Sequence, residues 1–333
     1  MTRALVLSGG GVKGAFQVGA LMHSMGDLGR DYDIVCGVSV GALNAAGLCN
    51  VKRGMPSYAS SNLRQFWEHE VSSKAIYRRW FPFGRLHSLW KKSVYDSSPL
   101  RKLIQSHVDH EKIQHCGRDI VVGAVCLNTG EMRYVTQKNE NFIDWIIASA
   151  SFPIFFEPVE IDGQLWSDGG INNITPLGQA IRMGATEIDV IVCSPRGRQG
   201  WRSMTKRAVP DQIMRTFDLM SGCIADNDLH FCELKNDQPT FKHIAVNVIA
   251  PEVELTDNSL DFSRYTIAHC INAGYESALK TFSASLARTV QFRRMTLPAS
   301  RRLAAAIHRC LEDACTAART LFRLGAVSPH RSP

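Results

Sequence analysis

The sequence predicts an α/β fold with a parallel central sheet, and its first 50 residues carry the observations behind that prediction. Ala4–Leu7 is a short apolar run, the glycine loop Ser8–Gly14 follows it, and helical periodicity then extends to about Leu28. A second strand-like run, Asp33–Cys36, passes through the glycine-flanked turn Gly37–Gly41 directly into another helical segment. Short buried strands that alternate with helices are typical of parallel α/β sheets.

The rest of the chain continues this alternation. Asn128–Glu131 joins two strand-like runs and predicts a hairpin, whereas the Gly- and Arg-rich stretch Arg196–Pro210 predicts a loop. Further helices are expected at residues 56–70, 99–107, 144–149, 176–183, 211–234 and 262–286, and further strand-like runs lie at 119–127, 132–136, 154–161, 164–167, 188–193 and 242–248.

The length and charge distribution predict one α/β domain over residues 1–286 and a basic helical C-terminal extension over residues 287–333. A chain of 333 residues is long for one domain and short for two. The extension contains nine arginines against Glu312 and Asp313 and accounts for essentially the whole net charge of +7. A basic tail favours an anionic surface, either membrane or nucleic acid, and a solvated helix face is the alternative.

Composition restricts the compartment and the cofactor chemistry. A hydrophobic content of 45% is ordinary for a soluble globular protein, and no run approaches the roughly 18 apolar residues of a spanning helix. The first apolar run is too short for a signal peptide, so a cytoplasmic location is expected. The ten cysteines are irregularly spaced without a CxxC pair, which predicts reduced core thiols rather than a metal site or disulfides.

The turn Gly37–Gly41 has the pattern of a nucleophile elbow. Glycines two residues before and after Ser39 remove the Cβ atoms that would clash in so sharp a strand-to-helix turn, and the serine hydroxyl is then exposed at its apex. A free hydroxyl is a poor nucleophile and requires an adjacent base.

The glycine loop predicts an oxyanion site. Gly9, Gly10 and Gly11 lie between a strand and a helix N-terminus, where backbone amides and the helix dipole favour negative charge. Packed beside the elbow, these amides would stabilise the oxyanion that forms when Ser39 attacks an ester. Lys13 would add positive charge nearby or pair structurally with an acid.

The same loop has a competing interpretation as a dinucleotide fingerprint. Gly9, Gly11 and Gly14 fit GxGxxG, and Asp33 lies 20 residues beyond Lys13. In that fold, however, the acid follows the second strand, whereas Asp33 begins it. A nucleotide-binding module without ester hydrolysis therefore remains the alternative function.

Asp168 is the leading candidate for the base. It follows a strand-like run, and Gly169 and Gly170 allow a sharp turn that leaves its carboxylate at the strand end. A Ser-His-Asp triad is the alternative, and the histidines downstream that would complete it are His230, His243 and His269.

Together these motifs resemble the patatin-like phospholipase family, in which a glycine-rich loop, a GxSxG elbow and an Asp-Gly-Gly/Ala turn occur in this order. Two further segments, 148–159 and Asn172–Leu177, are similar to the family's segments around the aspartate. The resemblance covers roughly residues 4–195, is looser to about 285, and has no counterpart for the basic tail.

The resemblance implies a three-layer α/β/α sandwich that hydrolyses fatty-acyl esters of lipids. It implies Ser39 as the nucleophile and Asp168 as its direct base, without a histidine, a metal or any other cofactor. Gly9, Gly10 and Gly11 would supply the oxyanion amides. Apolar surroundings would raise the pKa of Asp168 and make it a stronger base. Phospholipid, lysophospholipid and neutral lipid are equally compatible with these motifs.

A lipid substrate also requires a route to a bilayer. The segment Tyr77–Trp90 interleaves aromatic residues with arginines, a composition typical of interfacial segments, although core packing is the alternative. The Arg-rich C-terminus would add attraction to anionic lipid. Peripheral membrane contact is therefore expected, no nucleic-acid partner is expected, and the oligomeric state is left open.

Overall fold

A computed structural model describes residues 1–80, 92–197, 209–236 and 243–287. These residues belong to a compact unit that extends from Met1 to Thr289. Most of Tyr77–Trp90, most of the 196–210 stretch and the basic extension from residue 288 onward lie outside the described residues.

The eight described strands form one mixed sheet with the order β5-β6-β3-β2-β1-β7-β8, and β4 pairs with β3 outside this path. The strands β2, β1, β7 and β8 are parallel to one another and to β3, whereas β4, β5 and β6 are antiparallel to their neighbours. The strands are β1 (Arg3–Leu7), β2 (Ile34–Val38), β3 (Asp119–Cys126), β4 (Met132–Thr136), β5 (Val159–Ile161), β6 (Gln164–Asp168), β7 (Glu187–Ile191) and β8 (Ala245–Ile249).

Helices cover both faces of this sheet. Along β1, Leu5 and Leu7 pack into one apolar cluster and Ala4 and Val6 into another, as the alternation of side chains along a strand requires. The chain therefore has three α/β/α layers, as expected. The described helices are α1 (Gly14–Leu21), α2 (Val40–Cys49), α3 (Pro56–His69), α4 (Ser73–Ile76), α5 (Ser98–His107), α6 (His110–Gln114), α7 (Phe142–Ser149), α8 (Leu177–Arg182), α9 (Val209–Asn236) and α10 (Arg264–Ala287).

Two of the predicted elements are shorter than expected, and the short helices α4 and α6 were not predicted. The predicted helix from residue 15 to 28 is α-helical only as far as Leu21 and continues as a π-helical turn over Met22–Asp27. The strand-like run at 154–161 forms a strand only over Val159–Ile161. Ile154 has φ 69°, outside the extended region, and the fixed φ and missing N–H of Pro158 place that residue at the margin of a strand, so the strand begins after it. The predicted hairpin of β3 and β4 is confirmed.

One edge of β3 is shared by two strands that approach each other end to end. β2 runs parallel to β3 and pairs Val38 with Gly123, where it ends. β6 runs antiparallel along the continuation of the same edge and pairs its last residue, Asp168, with Ala124. β4 occupies the opposite edge, because it pairs with the same β3 residues. The C-terminal ends of β2 and β6 therefore meet at consecutive positions of β3.

Candidate active site

Ser39 lies at this meeting point, in the turn between β2 and α2. Its backbone has φ 58° and ψ −130°, an unfavourable combination for a residue with a side chain. A Cβ on Gly37 would overlap the carbonyl of Gly41, and a Cβ on Gly41 would overlap the carbonyl of Leu7. Both glycines are therefore required for this close approach, as the elbow pattern predicted.

Ser149, at the end of α7, holds the elbow against β3. Its hydroxyl is fully buried, accepts a hydrogen bond from the Ser39 amide (2.9 Å) and donates one to the Gly123 carbonyl (2.6 Å). The strained nucleophile is thereby fixed to β3, whose next residue, Ala124, pairs with Asp168 of β6. Sequence analysis did not single out Ser149, although it lies within the 148–159 segment that carried the family resemblance.

Asp168 is 2% exposed, and its carboxyl group interacts with the Ser39 side chain. The Gly170 amide donates a hydrogen bond to its Oδ1 (2.8 Å), so the Asp-Gly-Gly turn orients the carboxylate. No cation among the described residues forms an ion pair with it. Burial raises the pKa of Asp168 to about 7, and the hydrogen bonds from Ser39 and Gly170 only partly oppose this rise.

The glycine loop packs directly against the elbow. A Cβ on Gly9 would come within 3.0 Å of the Ser39 Cβ. The Gly9 amide donates to the Ile174 carbonyl (3.1 Å), so it is already occupied. Within the described part of the chain, the amides of Gly10 and Gly11 have no such partner. Two of the three expected oxyanion donors are therefore available. Gly9 instead allows the loop to lie close to Ser39, because it has no side chain.

Lys13 pairs structurally with an acid, the second of its two expected roles. Its side chain is 2% exposed, and its Nζ lies 3.2 Å from Oδ1 of Asp218 on α9. Ser259 donates to the same carboxylate oxygen (3.2 Å), and its carbonyl accepts the amide of Val12 (2.8 Å). These contacts connect the glycine loop to α9 and to the segment around Ser259. No local sequence motif predicts this long-range arrangement.

A cavity of about 550 Å³ contains Ser39, Asp168 and the glycine loop in its wall. This volume lies within the range of small-molecule pockets. Most of its remaining lining is apolar and comes from α2, α3, α5 and the segment around Phe152, with α9 contributing Phe217. The candidate site thus opens onto the kind of apolar space that a hydrocarbon chain requires.

The histidines proposed for a triad lie elsewhere. His230, His243 and His269 are exposed, and none of the three lines the cavity. His230 approaches Glu233 on its own helix, and His269 stacks on Tyr265. In the described residues, no group of three His, Cys, Asp or Glu side chains is arranged to hold a metal ion.

Asp33 does not occupy the position that a dinucleotide site requires. It precedes β2, so it lies at the opposite end of that strand from Ser39, and it forms an ion pair with Arg53 (2.5 Å). Its Oδ2 also accepts the amide of Arg3 (2.8 Å). Because Asp33 is occupied away from the glycine loop, the nucleotide-binding alternative is not favoured.

Relatives of known sequence include two proteins named cGAMP-activated phospholipase. The one from Pseudomonas aeruginosa is 28% identical over 185 residues, which cover 52% of this chain and 53% of that protein. The one from Vibrio cholerae is 28% identical over 206 residues, covering 53% and 56%. An uncharacterized protein of Escherichia coli, YjjU, is 28% identical over 233 residues, covering 68% and 58%. The chain thus spans little more than half the length of these relatives.

The family comparison agrees with the order of the motifs and with the fold. A solved structure of VipD from Legionella pneumophila aligns with a TM-score of 0.40 and 12% identity over 85% of this chain and 67% of that one, which is too distant to support an argument. The model of the patatin-like phospholipase family matches residues 5–181, more than half of the chain, and the match includes the glycine loop, the elbow and the Asp-Gly-Gly turn. The chain belongs to the patatin-like phospholipase family.

Proposed function

We propose that this protein is a lipid acyl-ester hydrolase in which Ser39 is the nucleophile and Asp168 its direct base. The observation that carries the proposal is that β2 and β6 end at consecutive positions of β3, which places Ser39 beside the buried carboxylate of Asp168 in the wall of a largely apolar cavity. A serine needs an adjacent base. Among the described residues, the only base in contact with Ser39 is the buried carboxylate of Asp168, which forms no ion pair there.

In the acylation step, Ser39 Oγ attacks the ester carbonyl carbon while Asp168 accepts the hydroxyl proton. The carbonyl oxygen takes the electron pair of the double bond and becomes an oxyanion, which accepts hydrogen bonds from the amides of Gly10 and Gly11. The oxyanion then collapses, the bond to the alcohol oxygen breaks, and Asp168 returns the proton to the departing alkoxide. The products are an acyl-serine and a free alcohol.

Deacylation repeats these steps with water. Asp168 accepts a proton from the water molecule that attacks the acyl-serine, and it returns that proton to Ser39 Oγ when the tetrahedral intermediate collapses. A pKa of about 7 suits this double role, because the group is ionised at neutral to alkaline pH and is a much stronger base there than an exposed aspartate. The N-terminus of α2, beside Ser39, adds a favourable dipole for the oxyanion.

Labelling with a fluorophosphonate probe tests the nucleophile. The full-length wild type is expected to label, and Ser39→Ala is expected not to label while it keeps the wild-type circular dichroism spectrum. Mass spectrometry of a total lipid extract after incubation then identifies the lipid class and the acyl position. Absence of labelling in both proteins would contradict the proposal.

The relatives from Pseudomonas aeruginosa and Vibrio cholerae carry cGAMP activation in their names, so a small-molecule activator belongs to the proposal for this chain as well. Hydrolysis should be measured with and without added cGAMP. Higher activity in its presence would support shared regulation. Equal activity in both conditions would indicate that this chain functions without that activator.

We also retain a cytoplasmic location and peripheral membrane contact as proposals. The structure adds that no helix within the described ranges is long and apolar enough to span a membrane. Flotation with anionic vesicles tests the basic extension in the full-length chain when its nine arginines are replaced by glutamine. Undiminished binding would exclude the extension as the docking element.

A further inference from the structure

The cavity extends from Ser39 along the whole length of α2. Its lining includes Val40, Leu43, Gly47 and Asn50, which recur at intervals of three or four residues and therefore share one face of the helix. With a rise of 1.5 Å per residue, Asn50 lies about 16 Å beyond Ser39 along the helix axis. The cavity therefore contains an elongated channel that begins at the nucleophile.

The walls of this channel are apolar. On α3 they are formed by Leu63 and Phe66, and on α5 by Leu100, Leu103 and Ile104. Gly47 lets α2 pack closely on α3 at the middle of the channel, since a Cβ there would come within 2.8 Å of the Leu63 side chain.

The far end of the channel is closed by polar contacts between α2 and α5. Asn50 Nδ2 donates to the His107 carbonyl (2.6 Å), and the rings of Phe66 and His107 lie 5.0 Å apart, edge to face. Asn50 is therefore a polar end to the α2 side of the lining. The apolar length of the channel is therefore finite.

The part of the cavity beside the glycine loop has a different character. Lys13, Asp218, Ser221 and Ser259 line it, and the first two form the buried ion pair described above. Hydrogen-bonding groups of this kind suit the alcohol portion of an ester, whereas the α2 channel suits a hydrocarbon.

We infer that the channel along α2 binds the acyl chain of the substrate and limits its length to about 12–14 carbons. An extended chain advances roughly 1.1–1.2 Å per bond, a third of the length of an extended amino-acid residue, so about 16 Å holds roughly 14 bonds. The inference rests on the proposed function, because it assigns the chain that Ser39 transfers. Methylenes beyond Asn50 leave the apolar walls and add nothing to binding.

A series of p-nitrophenyl esters from butyrate to octadecanoate tests the length limit in the wild type. The value of kcat/KM should rise with each added methylene, by at most about fourfold, and should level off at about 12–14 carbons. A second series, acetates of alcohols of increasing length, should show no such limit. A plateau that appears in the alcohol series alone would overturn the assignment.

Two substitutions should move the plateau in a defined order. Leu43→Phe obstructs the channel about 6 Å from Ser39, which leaves roughly five bonds, and Gly47→Leu obstructs it at about 12 Å, which leaves roughly ten. The readout is the ratio of kcat/KM for each ester to that for butyrate, which cancels a general loss of activity. Leu103→Phe, on the half-buried face of α5, provides an independent obstruction if an α2 variant fails to fold.

Gln105→Phe is the matched control, because Gln105 is exposed on α5 and does not line the channel. It should keep the wild-type length profile. If the channel variants also keep that profile, the acyl-chain assignment is wrong although hydrolysis itself stands. If the wild type neither hydrolyses butyrate nor labels with a short-chain fluorophosphonate, the proposed function fails instead.

Discussion

Two buried carboxylates of the same sheet have opposite surroundings. Asp189, in β7, is 0% exposed and accepts hydrogen bonds from Arg30 (2.7 and 3.0 Å), the Tyr32 hydroxyl (2.8 Å) and Asn247 (2.8 Å). Asp168, in β6, is almost equally buried but receives only the Gly170 amide and the Ser39 hydroxyl. The first carboxylate is neutralised by a cation, whereas the second has none among the described residues.

The pKa shifts of Glu187 and Asp168 follow the presence and absence of a paired cation. Burial acts to raise the pKa of Glu187, which shares Arg30 with Asp189, but hydrogen bonds and charge from Arg30 and Arg3 outweigh it and hold that pKa below its usual value. For Asp168 burial is not outweighed, and its pKa rises to about 7. Charge pairing stabilises the fold around β7, while its absence at β6 leaves a base beside a serine.

Asp168→Asn should have the largest effect on activity. The amide is close in shape but cannot accept the Ser39 proton, so kcat should fall by about 10²- to 10⁴-fold. Initial rates on a p-nitrophenyl ester measure the loss. Alanine substitutions at His230, His243 and His269 are the controls and should retain wild-type rates. Loss of activity in any one of them would revive the triad.

Arg30→Met should have the largest effect on stability. It removes the cation that pairs with Asp189 and leaves that buried carboxylate without a charge partner among the described residues, while Glu187 keeps Arg3, at a cost of about 3–5 kcal/mol in the free energy of unfolding. Urea denaturation measures the change. At a temperature where the variant is folded, its ester hydrolysis should remain near that of the wild type. A large fall in activity there would show that the two carboxylate environments are coupled.

The pH dependence of stability should have opposite signs at the two sites. Because the pKa of Asp168 is raised, its contribution to stability is fully present below pH 4 and is lost as the pH rises through about 7. Asp168→Asn should therefore gain stability over the wild type between pH 5 and 8, by an amount on the order of a few kcal/mol.

Glu187→Gln provides the opposite case. The pKa of Glu187 is lowered, so its contribution is present above about pH 4 and is lost as the pH falls through its folded-state pKa. This variant should be less stable than the wild type at neutral pH, and the difference should shrink in acid. Thermal melts of both variants across pH 3–8 measure these differences. Parallel curves for the two variants would contradict the assignment of the pKa shifts.

The sequence predicted the features of the site that depend on local backbone geometry. The elbow glycines are dictated by contacts within a few residues of Ser39 and with the neighbouring strand, and the Asp-Gly-Gly turn is dictated by a hydrogen bond from Gly170 to Asp168. The alternation of short apolar runs with helices likewise predicted the layers, since each strand buries both faces. Local pattern is sufficient for such features.

Other features depend on contacts between distant segments. The residue patterns of β2 and β6 do not predict that both strands pair with the same edge of β3. This shared edge places Ser39 close to Asp168. The hydrogen bond from the Gly9 amide to the Ile174 carbonyl, which removes that amide from the expected oxyanion site, is also a long-range contact. So is the ion pair of Lys13 with Asp218. The position of Ser149 does not predict its role, because a serine at the end of a helix is common and usually has only a structural function.

Ser149→Ala should have the smallest of these effects and tests whether the elbow needs its support. The variant removes the acceptor of the Ser39 amide and the donor to the Gly123 carbonyl without touching a reacting atom. The rate of fluorophosphonate labelling and kcat should therefore fall by about tenfold, with KM little changed. The pH profile should keep its inflection near 7, because the surroundings of Asp168 are intact.

Ser151→Ala is the matched control for this prediction. Ser151 is also buried, two residues further along, but its hydroxyl donates only to the Ile147 carbonyl (2.8 Å). Both variants lose a buried hydrogen-bonding hydroxyl, so both should lose comparable stability, yet only Ser149→Ala should slow labelling. Equal slowing in the two variants would assign the effect to general loosening of the 148–159 segment. Slowing confined to Ser149→Ala would identify Ser149 as the residue that positions the nucleophile on β3, beside the end of the strand that carries its base.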